Sequence, residues 1–292
     1  MITLVHSWKK FLTLGLEEDS FSFDWTARAL MAGNSSRPEK TITAKLIAKS
    51  NGIWAADAGL KALELLSAEM GMPIQIKSFV QDGASLEPKK TICEWTGASS
   101  SVLVFERTFI NLAAYCGGIA TQTNSLVKKA NSAGLKNPPR ITGTRKTLPA
   151  YRDLAIQSTL IGGAHPHRYN LSGGLLLKEN HIAAAGSIAK AIKNARSIAP
   201  HLLKIEIEVK DLTELKEAIS AGAEVIMLDN FKPEQVKEAI LLKPNSVTFE
   251  VSGGINSTNI DQYLIEGLDV ISVGSITHSV TSIDLSLLVD LL

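Results

Sequence analysis

The chain has 292 residues, a net charge of +1 and 45% hydrophobic residues. That length buries a large core and accommodates two domains. So even a balance excludes a general nucleic-acid binder, which carries a broad basic excess. The two cysteines, Cys93 and Cys116, lack CxxC spacing, which argues against a disulfide framework or a structural zinc site. The apolar run at Met1–Val5 is too short for a signal sequence, and Lys9 and Lys10 follow it instead of preceding it. No run reaches the ~18 consecutive apolar residues of a membrane span, so a cytoplasmic protein without membrane contact is expected.

Taken in order, residues 1–115 read as a mixed α/β unit. Thr41–Ala48 alternates as a strand, Ala56–Met70 carries leucines at helical spacing, and Pro73–Val80 is a second strand. Asp82-Gly83 is a turn. Ser99–Tyr115 is expected to be a helix with Val102, Phe105, Phe109 and Leu112 on one side. Arg107 in its middle reads, by itself, as a surface residue paired with a neighbouring acid.

Beyond residue 116 short apolar runs alternate with helical ones. The expected strands are Arg140–Thr144, Gly174–Leu177, Lys204–Val209, Val225–Leu228, Ser246–Val251 and Val270–Val273. The expected helices are Ser187–Ala199, Leu212–Ala221 with Asp211 as N-cap, Pro233–Leu242, and Ser257–Glu266 ending at Gly267. Such alternation implies parallel strands with crossover helices, in an open sheet or a barrel.

Each expected strand ends in polar, charged or glycine residues. They are Thr144-Arg145-Lys146, Lys178, Glu206 with Glu208, Asp229-Asn230, Ser252-Gly253-Gly254 and Gly274-Ser275. In parallel α/β architectures these ends share one face, where ligands bind. Six basic residues lie between Arg140 and His181 against two acids, Asp153 and Glu179, beside three histidines, His165, His167 and His181. Such a concentration in a near-neutral chain suits a small, multiply anionic ligand.

The glycine turns at 252–254 and 273–275 each follow a strand, where exposed N–H groups can hold phosphate; most such turns are only turns. Glu208 and Asp229 end neighbouring strands and can hold Mg²⁺ or ribose hydroxyls, or pair with Lys178 or Arg145. Arg168, after Gly162-Gly163, offers a planar fork to carboxylate or phosphate, whereas a lone His such as His167 is more often structural. HExxH, GxxxxGK[ST] and GxGxxG are all missing, which disfavours a zinc protease, a P-loop NTPase and a dinucleotide dehydrogenase.

The ordered set of motifs resembles the quinolinate phosphoribosyltransferase (decarboxylating) family, also called nicotinate-nucleotide pyrophosphorylases. It comprises E-D at 18–19, D-W-T at 24–26, D-G at 82–83, E-R-T-F-I-N-L at 106–112 and G-I-A-T at 118–121. It continues with T-R-K-T-L-P at 144–149, H-R at 167–168, L-L-K-E-N-H-I at 176–182 and E-I-E-V at 206–209. I-M-L-D-N-F at 226–231, E-V-S-G-G-I at 250–255 and I-S-V-G-S-I-T-H-S at 271–279 complete it.

The resemblance implies an N-terminal α/β sandwich domain over 1–115, to which 276–292 returns. It implies a barrel-like parallel α/β domain of about six strands over 116–275. It further implies a homodimer or higher oligomer with shared sites, into which Arg107 reaches from the neighbouring subunit. The reaction implied is transfer from 5-phosphoribosyl 1-pyrophosphate to quinolinate with Mg²⁺, giving nicotinate mononucleotide, pyrophosphate and CO₂ in NAD biosynthesis. Carried over by residue, Arg107, Arg145, Lys146, Arg168 and Lys178, with Thr144 and His167, would hold the substrates' carboxylates and phosphates. Glu208 and Asp229 would hold the ribose hydroxyls and Mg²⁺ and, with Lys146, act in catalysis. Ser252, Gly253, Gly254, Val273, Gly274 and Ser275 would hold the 5′-phosphate.

The chain departs from the family at Phe23 and Ala150, where Gly is usual, at Ile156, where Lys is usual, and at Pro166, where Asn is usual. Pro166 is similar to the molybdenum-transport-associated relatives, which tend to lose the run that Lys178–His181 keeps. The segment around 156–166, read as a loop, is where substrate choice is least fixed. A related transferase for another anionic base, or a non-catalytic phosphate-ligand binder, are the alternatives; retention of Glu208 and Asp229 argues against the latter.

Overall fold

A computed structural model describes residues 2–19, 24–26, 29 and 39–289; the departure at Phe23 lies outside them. In chain order the elements are α1 (Ile2–Glu18), β1 (Thr41–Ala48), β2 (Gly52–Ile53), α2 (Asp57–Glu69), β3 (Ile74–Ser78), β4 (Ser85–Leu86), β5 (Thr91–Ala98) and α3 (Ser99–Asn131). There follow β6 (Arg140–Thr142), α4 (Arg152–Ile161), β7 (Leu175–Leu177), α5 (Glu179–Ala185), α6 (Ile188–Ile198), β8 (Ile205–Val209), α7 (Leu212–Ser220) and β9 (Val225–Asp229). The last are α8 (Pro233–Ile240), β10 (Thr248–Ser252), β11 (Val270–Ser272), α9 (Ser275–His278) and β12 (Leu285–Val289). They form two compact units: Met1–Thr121 with Asp153–Gly162 and Val280–Leu292, and Gln122–Arg152 with Gly163–Ser279.

The first unit holds a four-stranded antiparallel sheet in the order β12-β1-β5-β3. Its core is aromatic: Trp8 stacks on Phe109 at 6.1 Å and Trp95 meets the same ring edge-on at 5.2 Å. Gly59 makes room for this, since a Cβ there would lie 2.7 Å from the Trp8 ring.

The helix expected over Ser99–Tyr115 runs on to Asn131. Gly117-Gly118 does not break it. Added Cβ atoms would lie 2.4 Å from Ile283 Cδ1 and 2.3 Å from the Thr281 carbonyl, so these glycines permit close packing inside a continuous helix. This helix is long and apolar enough to cross a membrane, but it is mostly buried within the fold, as in the core helix of a soluble protein. The segment read as a loop over 156–166 begins as helix α4, which buries Leu154, Ala155, Ser158 and Thr159 along one side.

The second unit is built on six parallel strands in the order β6-β11-β10-β9-β8-β7. All six fall where the apolar runs predict them. Parallel strands alternate their side chains between two faces. Ile141, Ile207, Val209, Ile226, Leu228, Phe249, Val251, Ile271 and Val273 belong to one buried apolar cluster with Ile188 and Ile192 of α6, Leu215 of α7 and Val236 of α8. The hydrophobic core of this unit therefore lies between sheet and helices, and the opposite face carries the polar residues.

The helices start where their caps predict. Ser187 Oγ accepts the Lys190 N–H at 3.2 Å, and Asp211 Oδ1 accepts those of Thr213 and Glu214 at 2.8 and 2.9 Å. The expected helix over Ser257–Glu266 is instead one short 3₁₀ turn, Ile260–Tyr263. Asn256 Oδ1 accepts from the Thr258 N–H and hydroxyl, and Asn259 Oδ1 from the Asn256 N–H. These local bonds compete with helical ones at the start of the segment.

Candidate active site

The C-terminal ends of the parallel strands surround a cavity of about 570 Å³. Thr144, Arg145 and Lys146 enter it after β6, Lys178 after β7, Glu208 from β8, Asp229 from β9, and Ser252, Gly253 and Gly254 at the end of β10. His167 and Arg168 complete the wall. Their loop is placed by the sheet: His165 donates its N–H to the Ile141 carbonyl at 2.8 Å and pairs in parallel with Thr142. The loop thus extends the sheet on the side of β6 that no strand occupies among the described residues.

Local chemistry fixes each group. The Lys146 N–H donates to Thr144 Oγ1 at 3.1 Å, and the Lys146 carbonyl accepts the Thr277 hydroxyl at 2.9 Å. Gly274 passes beside the Lys146 stem, with its missing Cβ 3.4 Å from Lys146 Cδ. The Lys178 N–H donates to His181 Nδ1 at 2.9 Å, which explains the histidine of the K-E-N-H run, and the Lys178 ammonium pairs with Glu208. Arg168 Nη1 donates to the Gly174 carbonyl at 3.1 Å.

Asp229 is followed by Asn230 at φ 56°, a left-handed conformation that asparagine tolerates. From there Asn230 Nδ2 donates to Asp229 Oδ2 at 2.9 Å, and its backbone N–H to the Ser252 carbonyl at 2.8 Å. Gly253 lies against this residue.

Burial and then the neighbouring Arg145 push Arg168 below its usual pKa. The Nε atoms of both arginines are buried without a hydrogen-bond partner among the described residues. Two guanidiniums facing one space, with unused donors, are relieved by an anion.

Deeper in the unit lie His167, Glu206, Glu250 and Ser272. His167 Nε2 is 3.6 Å from both Glu206 Oε2 and Glu250 Oε1, and the Ser272 hydroxyl donates to Glu250. Burial, reinforced by Glu250, pushes Glu206 up to about 8. Burial alone would lower His167, but Glu250 and Glu206 together raise it.

Four expected site residues do not line the cavity. Arg107 is exposed on α3 in the first unit. Val273 is fully buried, and its N–H is taken by the Thr142 carbonyl at 2.9 Å. Gly274 supports Lys146 as described, and Ser275 opens α9.

The model of the quinolinate phosphoribosyl transferase C-terminal domain matches residues 119–288, and that of its N-terminal domain matches residues 24–116. This chain belongs to the quinolinate phosphoribosyl transferase family. It is 37% identical over 279 residues to a probable nicotinate-nucleotide pyrophosphorylase [carboxylating] of Bacillus subtilis, covering 96% of this chain and 92% of that one. It is 36% identical over 290 residues to the nicotinate-nucleotide pyrophosphorylase [carboxylating] of Homo sapiens, covering 98% and 91%. The solved structure of the Francisella tularensis nicotinate-nucleotide pyrophosphorylase superposes with a TM-score of 0.86 at 32% identity, over 98% of this chain and 97% of that one.

Within this family member, reading the strand ends leaves out Glu250 and Ser272, and it names Asn230 without giving it a role. Glu250 and Ser272 carry a signal in the sequence. Phe249-Glu250-Val251-Ser252 and Ile271-Ser272-Val273 alternate apolar and polar, which in a parallel sheet marks a polar inner face.

Proposed function

We propose that the cavity binds quinolinate beside 5-phosphoribosyl 1-pyrophosphate and transfers the phosphoribosyl group with decarboxylation. The observation that carries this reading is the pairing of chemistries in one cavity: Arg145, Lys146, Arg168 and Lys178 share it with Glu208 and Asp229. A pure anion binder gains nothing from the two carboxylates. A transferase that must stabilise a ribosyl cation between anions needs both.

In this reading Arg145 and Arg168 hold the pyridine carboxylates as planar forks. Lys146 and Lys178 face phosphate oxygens, and the turn at 252–254 receives the 5′-phosphate. The ring nitrogen attacks C1 of the ribose as the bond to pyrophosphate breaks. Glu208 and Asp229 lie where positive charge develops on the sugar. The alkylated nitrogen, now cationic, accepts the electron pair left when CO₂ departs from the adjacent carbon, and that carbon takes a proton. Holding three separate charges in register is positioning work, which lowers the barrier without covalent help from the protein.

Glu208 and Asp229 fit Mg²⁺, a hard cation that commonly binds through one or two carboxylates together with substrate phosphates. When bound, the ion would neutralise charge on the leaving pyrophosphate. We propose further that the enzyme is a cytoplasmic homodimer. The buried thiols Cys93 and Cys116 suit a reducing compartment, and the exposed Arg107 is available to a partner subunit.

The test is incubation of the purified protein with quinolinate, the phosphoribosyl donor and Mg²⁺. Nicotinate mononucleotide, pyrophosphate and CO₂ are expected in equal amounts. Absence of all three overturns the reading.

A further inference from the structure

The inner polar layer beneath the cations has a proton arrangement that can be read from its geometry. The Arg168 backbone N–H donates to His167 Nδ1 at 2.8 Å. A ring nitrogen that accepts a hydrogen bond carries no proton, so the neutral ring holds its proton on Nε2. That nitrogen faces Glu206 Oε2 and Glu250 Oε1, each 3.6 Å away. Glu250 is itself held by the Ser272 hydroxyl on the neighbouring strand.

His167, Glu206 and Glu250 are close enough together to surround a metal ion. The bond at Nδ1 argues against one. A histidine that ligates a metal through Nε2 presents that nitrogen bare and donates its other N–H to a supporting acceptor. Here the roles are reversed: Nδ1 accepts, and Nε2 has the proton.

We propose that Glu250 and Glu206 are positioning residues: they accept the His167 Nε2–H, keep Nδ1 free to accept the Arg168 N–H, and so fix Arg168 in the mouth. The structural logic is a chain of three links. Strands β8 and β10 hold the carboxylates rigidly, because each carboxylate projects from a paired strand residue. The carboxylates hold the ring, and the ring holds the backbone of the residue whose guanidinium faces the ligand. Arg168 comes from a loop, and a loop residue keeps its geometry only when its own backbone is tied to rigid elements. The Arg168 Nη1 bond to Gly174 belongs to the same loop. His167 is thus the tie from Arg168 to the strands beneath it.

This inference rests on the reading that Arg168 binds a carboxylate of quinolinate. Steady-state kinetics of the full chain, with Glu250→Ala and Glu250→Gln, test it alongside ¹⁵N NMR of the His167 ring, assigned with a His167→Gln variant. In Glu250→Ala the KM for quinolinate should rise about tenfold or more, the loss expected for one charge-assisted hydrogen bond. The KM for the phosphoribosyl donor should stay within about twofold, because the other cations are untouched. Glu250→Gln keeps an oxygen that can accept from Nε2 and should recover most of the lost affinity. The NMR signature in the wild type should be an Nε2–H tautomer, read at a pH high enough for the ring to be neutral, since the two carboxylates raise its pKa.

An unchanged quinolinate KM in Glu250→Ala overturns the proposal, and so does an equal rise for both substrates. An Nδ1–H tautomer in the wild type overturns it as well, and that readout decides the matter if Glu250→Ala does not fold. Should the wild type form no nicotinate mononucleotide, the functional reading fails, while the tautomer measurement still tests the scaffold.

Discussion

Replacing Gly253 by alanine is the sharpest single test of how the phosphate turn is built. Gly253 has φ 105°, outside the region that L-residues occupy readily. A Cβ there would lie 2.2 Å from Asn230 Oδ1 and 2.9 Å from the Asn230 backbone nitrogen. The side chain could rotate away, at the cost of its bond to Asp229. The backbone nitrogen cannot, because it donates to the Ser252 carbonyl. Strain at such a φ costs about 1–3 kcal/mol, and the displaced contact brings the total to about 2–4 kcal/mol. Gly254 supplies the control. It also has a positive φ, 64°, but open space around the missing Cβ, so Gly254→Ala should cost only about 1–2 kcal/mol. Chemical denaturation of both variants measures the difference. Gly253→Ala should also raise the KM for the phosphoribosyl donor, since the turn and Asp229 move together. Equal stability losses in the two variants would refute the argument that Asn230 occupies the space glycine leaves.

Three further outcomes are expected. Ala150 stands at φ 63°. Ala150→Gly relieves about 1–2 kcal/mol of left-handed strain against about 0.5–1 kcal/mol of added chain entropy, so denaturation should show a small net gain. Asp82 is pushed up from 3.8 to about 6 by burial, with Asp57 beside it. Between those values the folded state keeps a proton that the unfolded state has lost, so stability should fall as pH rises from about 4 to 6. Asp82→Asn should flatten that slope in a pH series of denaturation midpoints while still accepting the Asp57 N–H, and a slope equal to wild type would count against the assignment. Lys146→Ala removes an exposed cation of the mouth. Its kcat/KM should drop on the order of 10²–10³-fold with an unchanged circular dichroism spectrum, and near-normal turnover would remove Lys146 from the site.

The parts of this protein that were legible in its sequence are those governed by local rules. All six parallel strands are short apolar runs ended by polar residues, and Ser187 and Asp211 cap helices as their side chains dictate. Two expectations differ from the structure, one at a long-range contact and one at local side-chain bonds. The helix expected over Ser99–Tyr115 continues through Gly117-Gly118, where Ile283 and Thr281 pass within reach of any Cβ. Ser257–Glu266 has helical spacing, yet Asn256 and Asn259 divert its first turn into side-chain bonds. The mouth residues share one face because every parallel strand ends there. Arg168 was legible as a residue type, but its placement depends on His165 joining the edge of β6, which no spacing encodes.

The alternation inside the strands bears on why this sheet is stable at all. A parallel sheet is usually apolar on both faces. Here Glu206, Glu250, Ser272 and Thr142 occupy the inner face and are nearly inaccessible to solvent. Burying such groups is unfavourable unless they bond to one another. Glu250 is bonded to Ser272, and the His167 proton points toward both carboxylates. Glu206 Oε1 has no partner among the described residues, and burial beside Glu250 accounts for its raised pKa. The fold therefore concentrates its hydrophobic stabilisation between the outer face of the sheet and the helices. Its inner face is a polar layer beside the loop that His165 joins to the edge of β6. If Glu250 and Glu206 position His167 as proposed, filling this face with apolar residues would strengthen the sheet while releasing Arg168 from the geometry that binding requires.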